Sequence, residues 1–273
     1  MVAKLGMGGI NKGIITPEGI ERGLNVLKSF RAVLDENQIN RSQIKAFGTS
    51  ALRNASNGQE VAKIFEEETD IEITIISGDR EAELIYEGVK RGVNISHNSL
   101  IVDIGGGSVE FILCNAEGSL WRKSIEIGGQ RLMEKFFNSD PISPSSIGRM
   151  DDYFREQLLP LANAIHQYQP ITMIGSSGSF DTLYAIYYHE QHGELLTHQA
   201  TSSAYPLEAF VKIYEKLLTY NREERLAIPG MIEMRVDMIV VAVCLIRYLI
   251  QNFNLKDIIV SKYALKEGIM SLK

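Results

Sequence analysis

The segment Asp103–Glu110 holds the residues whose types and spacing are best suited to chemistry. Three consecutive glycines lie between the apolar runs 100–102 and 109–114, which we interpret as two strands. Glycine weakens strands, but it lets the backbone turn sharply and approach a ligand closely. Successive backbone amides in such a loop form an anion-binding concavity. We therefore expect a phosphate group at Gly105, Gly106, Gly107 and Ser108; a plain hairpin with a solvated carboxylate at each end is the alternative.

The two carboxylates that flank this glycine loop indicate a metal ion. Asp103 stands at the carboxyl end of its predicted strand, where α/β sheets present their ligands. A carboxylate beside a bound phosphate is repelled unless a cation lies between them, and Mg²⁺ prefers oxygen ligands. The pattern therefore predicts Mg²⁺, or another divalent cation, at Asp103 and Glu110.

A second loop of small residues follows the predicted strand 171–174 and precedes a predicted helix. A helix N-terminus offers free N–H groups and the positive end of the helix dipole to an anion. Such a loop is often only a tight turn, but this one lies at the same end of the predicted sheet as the glycine loop. We therefore expect a second phosphate-binding loop made of Gly175, Ser176, Ser177, Gly178 and Ser179.

Two further segments could supply a proton acceptor and a cation. Asp79, Glu81 and Glu83 lie in the first turns of a predicted helix, where carboxylates also complement the helix dipole. One of them could instead act as a general base for water. Arg53 follows the predicted strand 44–48; it could neutralise a phosphate with its fork of donors, or it could be an ordinary surface arginine.

The polar segment 189–203 is predicted to be a surface loop. It contains His189 and His192, which could bind a metal ion, although no third ligand is evident in the sequence. The chain has no nucleotide-binding loop of the G-x-x-x-x-G-K type and no dinucleotide-binding fingerprint.

The order of predicted elements indicates an internal duplication. The second half reads strand, glycine loop, two strands, helix, strand, two or more helices, strand and helix. The first half reads helix, strand, helix, strand and helix, as if it lacked only the opening strands and their loop. Two such units facing across a cleft are the plan of the actin-like ATPase superfamily, whose domains are ribonuclease H-like. We therefore expect an α/β protein with domain I over 1–96 and domain II over 97–273.

Net charge, cysteine count and the length of the apolar stretches limit the classes of function that the chain could have. A net charge of −6 makes nucleic-acid binding by bulk charge improbable, so a polyanionic substrate needs a local positive site. The two cysteines lie in apolar runs and cannot form a disulfide framework, which fits the cytoplasm. The most apolar stretch, 238–246, is far shorter than the ~20 residues of a membrane span.

Several of these segments occur in an order that is specific to one family. The chain resembles the exopolyphosphatase/guanosine pentaphosphate phosphohydrolase (Ppx/GppA) family along almost its whole length. The segments that carry the resemblance are 47–53, 76–82, 103–110, 126–129, 175–179, 229–230, Arg235, Asp237 and 260–268.

The resemblance implies Mg²⁺-dependent hydrolysis of terminal phosphoanhydride bonds in inorganic polyphosphate or in guanosine pentaphosphate, a nucleotide of the stringent response. It implies that Glu81 is the catalytic base and that Asp103 and Glu110 are the metal-associated carboxylates. It also assigns both small-residue loops to phosphate binding and places Arg53 at the cleft. With these partners we expect no nucleic acid and no membrane, and we regard a homodimer as possible.

The chain departs from the family pattern at its start. Family members open with a strand and an Asp-x-Gly-Thr-Asn-Ser-like loop, whereas this chain joins the pattern only at Leu5–Gly6. It otherwise resembles the short, two-domain form. Two alternative functions stay open: a phosphotransferase (kinase) on the same fold, and a non-catalytic sensor that binds guanosine tetraphosphate or polyphosphate.

Overall fold

The computed structural model describes residues 3–197 and 200–272, and these residues form twelve α-helices and eight β-strands. The helices are α1 (Pro17–Glu36), α2 (Ser50–Asn54), α3 (Gly58–Thr69), α4 (Gly78–Val89), α5 (Gly129–Phe136), α6 (Pro144–Gln157), α7 (Leu159–Tyr168), α8 (Gly178–His192), α9 (Leu207–Thr219), α10 (Arg222–Leu226), α11 (Met238–Phe253) and α12 (Leu265–Ile269). The strands are β1 (Ala46–Gly48), β2 (Ile73–Ile75), β3 (Ser99–Ile104), β4 (Val109–Cys114), β5 (Ser119–Ile125), β6 (Thr172–Ser176), β7 (Ser202–Tyr205) and β8 (Asp257–Ser261). None of the helices in this part of the chain is long and apolar enough to cross a membrane.

The chain divides by its internal contacts into two compact units, one up to Arg80 and one from Glu81 onward. The boundary predicted from the sequence lies at 96/97 instead. The division by contacts assigns α4 from Glu81 to the second unit, and the predicted domain boundary stays a prediction.

The first unit is built from α1 and α3 on a parallel pair of strands, β1 and β2. Its buried core consists of Ile15, Leu52, Val61 and Phe65. The sequence Thr16–Pro17–Glu18 predicts the start of α1. Pro17 occupies its first turn, and the Thr16 hydroxyl accepts a hydrogen bond from the Gly19 amide at 3.2 Å.

Asn57 does not cap α3, although the sequence Asn57–Glu60 resembles a capping box. Its side chain bonds both backbone groups of Ile15 at 2.9 Å, accepting from the amide and donating to the carbonyl. This long-range pair occupies the Asn57 amide group, so the capping box that the sequence suggests does not form.

The second unit contains a six-stranded sheet in the order β5-β4-β3-β6-β8-β7. β3, β6 and β8 run parallel, whereas β4, β5 and β7 join antiparallel. All residues of β3, β4 and β6 are buried, which is the pattern of strands covered on both faces. The sheet therefore presents the carboxyl ends of β3 and β6 next to each other.

Two predictions about helices and loops were wrong. The segment 189–203 is not one loop, because α8 continues to His192 and ends where Gly193 adopts a positive φ of 72°. Ser202–Tyr205 then pairs with β8, a contact that its polar sequence did not signal; residues 198 and 199 lie outside the described residues. The apolar periodicity from Ser143–Pro144 through Ile165 predicts one helix, but the helix is interrupted at Leu158. A new helix follows, with Pro160 in its first turn.

A candidate phosphate and metal site in the second unit

Asp103 and Glu110 face each other across the β3–β4 hairpin. They are register partners of the antiparallel pair, so their side chains lie on the same face of the sheet. Both side chains are buried. The sequence placed them on either side of the glycine loop, and the hairpin brings them together.

The glycine loop is held by its carbonyl groups. The carbonyls of Gly105, Gly106 and Gly107 accept hydrogen bonds of 2.8–3.2 Å from the amides of residues 128–130, at the start of α5. A Cβ atom at Gly128 would lie 2.5 Å from the backbone carbon of Gly106, so glycine is needed there for this contact. The three carbonyl groups are thus hydrogen-bonded to the start of α5. The amide groups of Gly106 and Gly107 are the polar groups of the loop that could bind an anion.

Glu110 is surrounded by hydroxyl donors and negative charge. Ser108 and Ser124 both donate to its Oε1 atom at 2.6 Å. Burial, and then the charges of Glu81 and Asp103, raise its pKa to about 8, and the two serine bonds oppose this only in part. The three predicted carboxylates therefore form one electrostatic cluster in the second unit.

Asp103 receives its hydrogen bonds from the second loop. The Ser176 hydroxyl donates to its Oδ2 atom at 2.7 Å. Burial raises the pKa of Asp103, while hydrogen bonds from Ser176 and Ser177 and the charge of Arg235 act in the opposite direction. The two predicted loops are thus linked through one carboxylate.

The second loop ends in a constrained turn at the start of α8. Ser177 has a φ of 74°, which is costly for a residue other than glycine and marks a site where the surroundings fix the backbone. A Cβ atom at Gly175 would lie 2.0 Å from the ring of Phe180, and one at Gly178 would lie 2.3 Å from the guanidinium of Arg235. The Ser179 hydroxyl is buried and has no hydrogen-bond partner among the described residues. The glycines therefore admit side chains that pack directly against the loop.

Glu81 lies in the first turn of α4 and is buried. α4 approaches α12 backbone to backbone, because a Cβ atom at Gly88 would lie 2.0 Å from the Ala264 carbonyl. A Cβ atom at Gly268 would likewise lie 1.8 Å from the Leu84 carbonyl. This pair of glycines sets the distance at which the helix carrying Glu81 packs against α12.

Arg235 lies at the second loop, although the sequence suggested no role for it. The sequence predicts one helix over 231–251, but α11 begins at Met238. Arg235 ends a separate 3₁₀ turn through a 2.8 Å bond from its amide to the Ile232 carbonyl. Its guanidinium lies against Gly178, and its Nε atom is buried without a hydrogen-bond partner among the described residues. Burial lowers its pKa, while Asp181 and Asp103 favour the charged form. Arg235 thus provides a positive charge at the second loop, and its Nε–H group could donate a hydrogen bond to a ligand.

Arg53 belongs to the first unit. It lies in the last turn of α2, and its Nη1 atom donates to the Ile76 carbonyl at 3.2 Å. Its predicted role as a phosphate-neutralising residue therefore stays a prediction.

The Asp103–Glu110 pair is better suited to Mg²⁺ than to a metal ion that is coordinated by protein ligands alone. No group of three or more His, Cys, Asp or Glu residues that could hold a metal ion occurs among the described residues. Mg²⁺ is commonly held by one or two carboxylates, with waters and substrate phosphates completing its shell. The raised pKa values of Asp103 and Glu110 show that their negative charges are poorly compensated by the protein alone. A divalent cation would supply that compensation.

The geometry defines an α/β protein of the actin-like ATPase fold, with small-residue loops after two neighbouring parallel strands and buried carboxylates beside them. The sequence profile of the Ppx/GppA phosphatase family matches residues 2–272. The chain belongs to this family, and the fold class and the family resemblance predicted from the sequence are confirmed.

The chain is similar to proteins of known structure. A solved exopolyphosphatase from Cytophaga hutchinsonii is 44% identical and superposes with a TM-score of 0.92, covering 99% of this chain and 86% of that chain. The Aquifex aeolicus PPX-GPPA enzyme is 23% identical with a TM-score of 0.77, covering 99% of this chain and 88% of that chain. At that identity the second likeness supports the fold alone.

A curated relative is much longer than this chain. The bifunctional 3-dehydroquinate synthase/phosphatase of Fusobacterium nucleatum subsp. nucleatum is 29% identical over 267 residues, which cover 96% of this chain. The match spans 39% of that relative's length.

Proposed function

We propose that this protein hydrolyses terminal phosphoanhydride bonds, with inorganic polyphosphate as its substrate and Mg²⁺ as its cofactor. The observation that carries the proposal is the buried Asp103–Glu110 pair, which flanks the glycine loop and is hydrogen-bonded to Ser176 of the second loop. Similarity to an exopolyphosphatase at 44% identity supports the substrate class. Guanosine pentaphosphate is the second candidate substrate, and it rests on the family alone.

The residues of the second unit suggest how the reaction proceeds. Glu81 accepts a proton from a water molecule, the water oxygen attacks the terminal phosphorus, and the bond from that phosphorus to the bridging oxygen breaks. Phosphoryl transfer is catalysed mainly by positioning and by charge neutralisation. The loop amides at 105–108 and 175–179 bind phosphate oxygens, and Arg235 adds a guanidinium at the second loop. Arg53 remains the proposed cation for the transferred group.

Mg²⁺ would be held by Asp103 and Glu110. When bound, it offsets negative charge on the phosphate oxygens of the leaving group. The serines that donate to both carboxylates fix their orientation without neutralising them, so the pair is suited to a hard cation.

Phosphate release from long-chain polyphosphate with Mg²⁺ tests the proposal. We expect the protein to release orthophosphate and Glu81→Gln to lose ~10²–10⁴ of that rate, as is usual when a positioned base is removed. Glu83→Gln, on the same helix, is the matched control and should keep most of the rate. Equal activity of Glu81→Gln and the parent protein would contradict the role given to Glu81.

The alternative functions differ in what would be measured. A sensor would bind polyphosphate or guanosine tetraphosphate without releasing phosphate, whereas a kinase would bind ATP and transfer its phosphate to an acceptor.

The expectations of a cytoplasmic location and a homodimer stay predictions. Cell fractionation checks the first, and light scattering checks the second.

A further inference from the structure

A buried arginine contacts the residues that follow Arg235 and takes no part in the reaction proposed above. The side chain of Arg225 is 0% exposed, and it is the largest fully buried side chain among the described residues. Burying a guanidinium is costly even when it is paired, and apolar residues often stabilise a fold as well as a buried ion pair does. The contacts of Arg225 therefore call for a specific explanation.

Arg225 joins three separate segments of the second unit. Its Nη1 atom donates to the Asp140 carboxylate and to the Tyr220 carbonyl, each at 2.6 Å. Its Nε atom donates to the Val236 carbonyl at 2.9 Å. Its Nη2 atom lies 3.6 Å from an Asp237 carboxylate oxygen. The guanidinium thus connects the loop before α6, the start of α10 and the start of α11.

Two of these partners directly follow Arg235. Val236 and Asp237 link the 3₁₀ turn that ends at Arg235 to α11. The other end of the turn is also fixed, because a Cβ atom at Gly230 would lie 2.8 Å from the backbone of α8. Arg225 therefore holds the backbone on the C-terminal side of Arg235, and the packing of Gly230 holds the other side.

The backbone is thus held on both sides of Arg235. The guanidinium lies on Gly178 at the second loop, with its Nε atom lacking a protein partner among the described residues. Arginine binds phosphate through a planar fork whose geometry must match the oxyanion. A small shift of the turn would move that fork off the loop without unfolding α11.

We infer that Arg225, paired with Asp140, is a positioning residue that holds Arg235 in place to bind a phosphate group at the second loop. The inference rests on the proposed function only in taking phosphate as the ligand, and it holds for binding without turnover. It assigns Arg225 no contact with substrate.

The test compares four variants with the parent protein: Arg225→Met, Asp140→Asn, Arg235→Met and Arg247→Met. Arg247 is the matched structural control, because it forms a largely buried ion pair with Asp151 between α11 and α6. The first measurement is the rise in Tm caused by adding inorganic phosphate, and the second is kcat and KM for polyphosphate.

We expect Arg225→Met and Asp140→Asn to weaken phosphate binding about tenfold or more, as Arg235→Met does, because a charge-assisted hydrogen bond is lost. KM should rise more than kcat falls. Arg247→Met should lower the starting Tm yet keep the full phosphate-induced rise. Asp140→Asn keeps Arg225 and the size of the side chain, so it serves if Arg225→Met does not fold.

Three results would overturn the inference: a full phosphate-induced rise in both Arg225→Met and Asp140→Asn, an unchanged response in Arg235→Met, or no response in the parent protein. Failure of the proposed hydrolysis is distinguishable from these. In that case the parent protein would release no phosphate from polyphosphate, yet the loss of binding in the Arg225 and Arg235 variants would still appear.

Discussion

Glu110 is a proposed metal ligand whose surroundings disfavour its negative charge. Its carboxylate is buried beside Asp103, and its pKa is raised to about 8 by burial and by neighbouring carboxylates. Such an arrangement destabilises the fold unless a cation compensates it. The serine donors at Oε1 keep the side chain oriented toward the loop rather than toward solvent.

Replacing Glu110 should therefore uncouple stability from the metal. In EDTA at pH 8 we expect Glu110→Gln to melt several degrees above the parent protein, because the amide removes a buried charge. Mg²⁺ should raise the Tm of the parent and leave that of the variant unchanged, as measured by scanning fluorimetry. Asp152→Asn, which changes an exposed carboxylate on α6, is the control and should alter neither value. A lower Tm for Glu110→Gln in EDTA would show that the carboxylate stabilises the apo fold.

The two cysteines provide a prediction about pH. Burial raises the pKa of both Cys114 and Cys244 to about 12, whereas thiols in an unfolded chain ionise near pH 8.5. The folded protein should resist alkylation by iodoacetamide at pH 9, and the protein in urea should react at both thiols. Because the folded pKa is raised, the stabilising contribution is complete below the unfolded value and declines as pH rises toward 12. Rapid labelling of the native protein at pH 9 would contradict the burial of both thiols.

Contacts between residues that are close in the sequence could be predicted. Contacts between residues that are distant in the sequence, such as Arg235 and Gly178, could not. Asp103, Glu110 and the glycines between them belong to one hairpin, so their proximity follows from its strand pattern. Arg235 reaches Gly178 over more than fifty residues, and nothing in its own segment signals that contact. The requirement for glycine at Gly128 likewise depends on a backbone in another loop.

At the scale of elements, close helix packing positions the proposed base. α4 carries Glu81, and its backbone touches that of α12 through Gly88 and Gly268. The apolar periodicity of α4 predicted a helix but not this contact, because the sequence does not show which glycine meets a partner. Short elements such as α5 and β7 were missed for the same reason, since tertiary pairing rather than local preference stabilises them.

Gly88→Ala tests this packing. The added Cβ would lie 2.0 Å from the Ala264 carbonyl oxygen, so the two helices must separate. We expect a loss of about 1–3 kcal/mol in the free energy of unfolding, measured in urea, and a fall in phosphate release as Glu81 moves with α4. Gly148→Ala is the matched control, because no atom lies within 4 Å of its added Cβ on α6. It should stabilise by up to about 1 kcal/mol. Equal stability of the two variants would contradict the backbone contact.

At the scale of the whole molecule, the two units differ in how completely they cover their apolar surface. Among the described residues the sheet of the second unit has six strands and that of the first has two. The 20-residue helix α1 fully buries only two glycines, Gly19 and Gly23. Helix α1 could be predicted from its local apolar periodicity, whereas the covering of its apolar face depends on which elements pack against it.

The uncovered surface is an apolar groove of about 460 Å³ in the first unit, lined by residues of α1, β1 and β2 that include Phe30 and Val33. These two side chains are 45% and 50% exposed, so removing them should cost little stability. We expect Phe30→Ser/Val33→Ser to keep its Tm within about 2 °C of the parent protein, since exposed sites change stability by less than about 0.5 kcal/mol each. The fluorescence of an apolar dye such as ANS should fall by more than half.

The control for the groove is Leu195→Ser, which removes an exposed apolar side chain from the second unit. A single exposed leucine is ordinary on a protein surface, so this variant should leave dye binding unchanged. If the double variant bound dye as strongly as the parent protein did, the groove would not be the principal apolar surface. A large fall in its Tm would instead show that Phe30 and Val33 are covered in solution. Either result would contradict an open groove on α1.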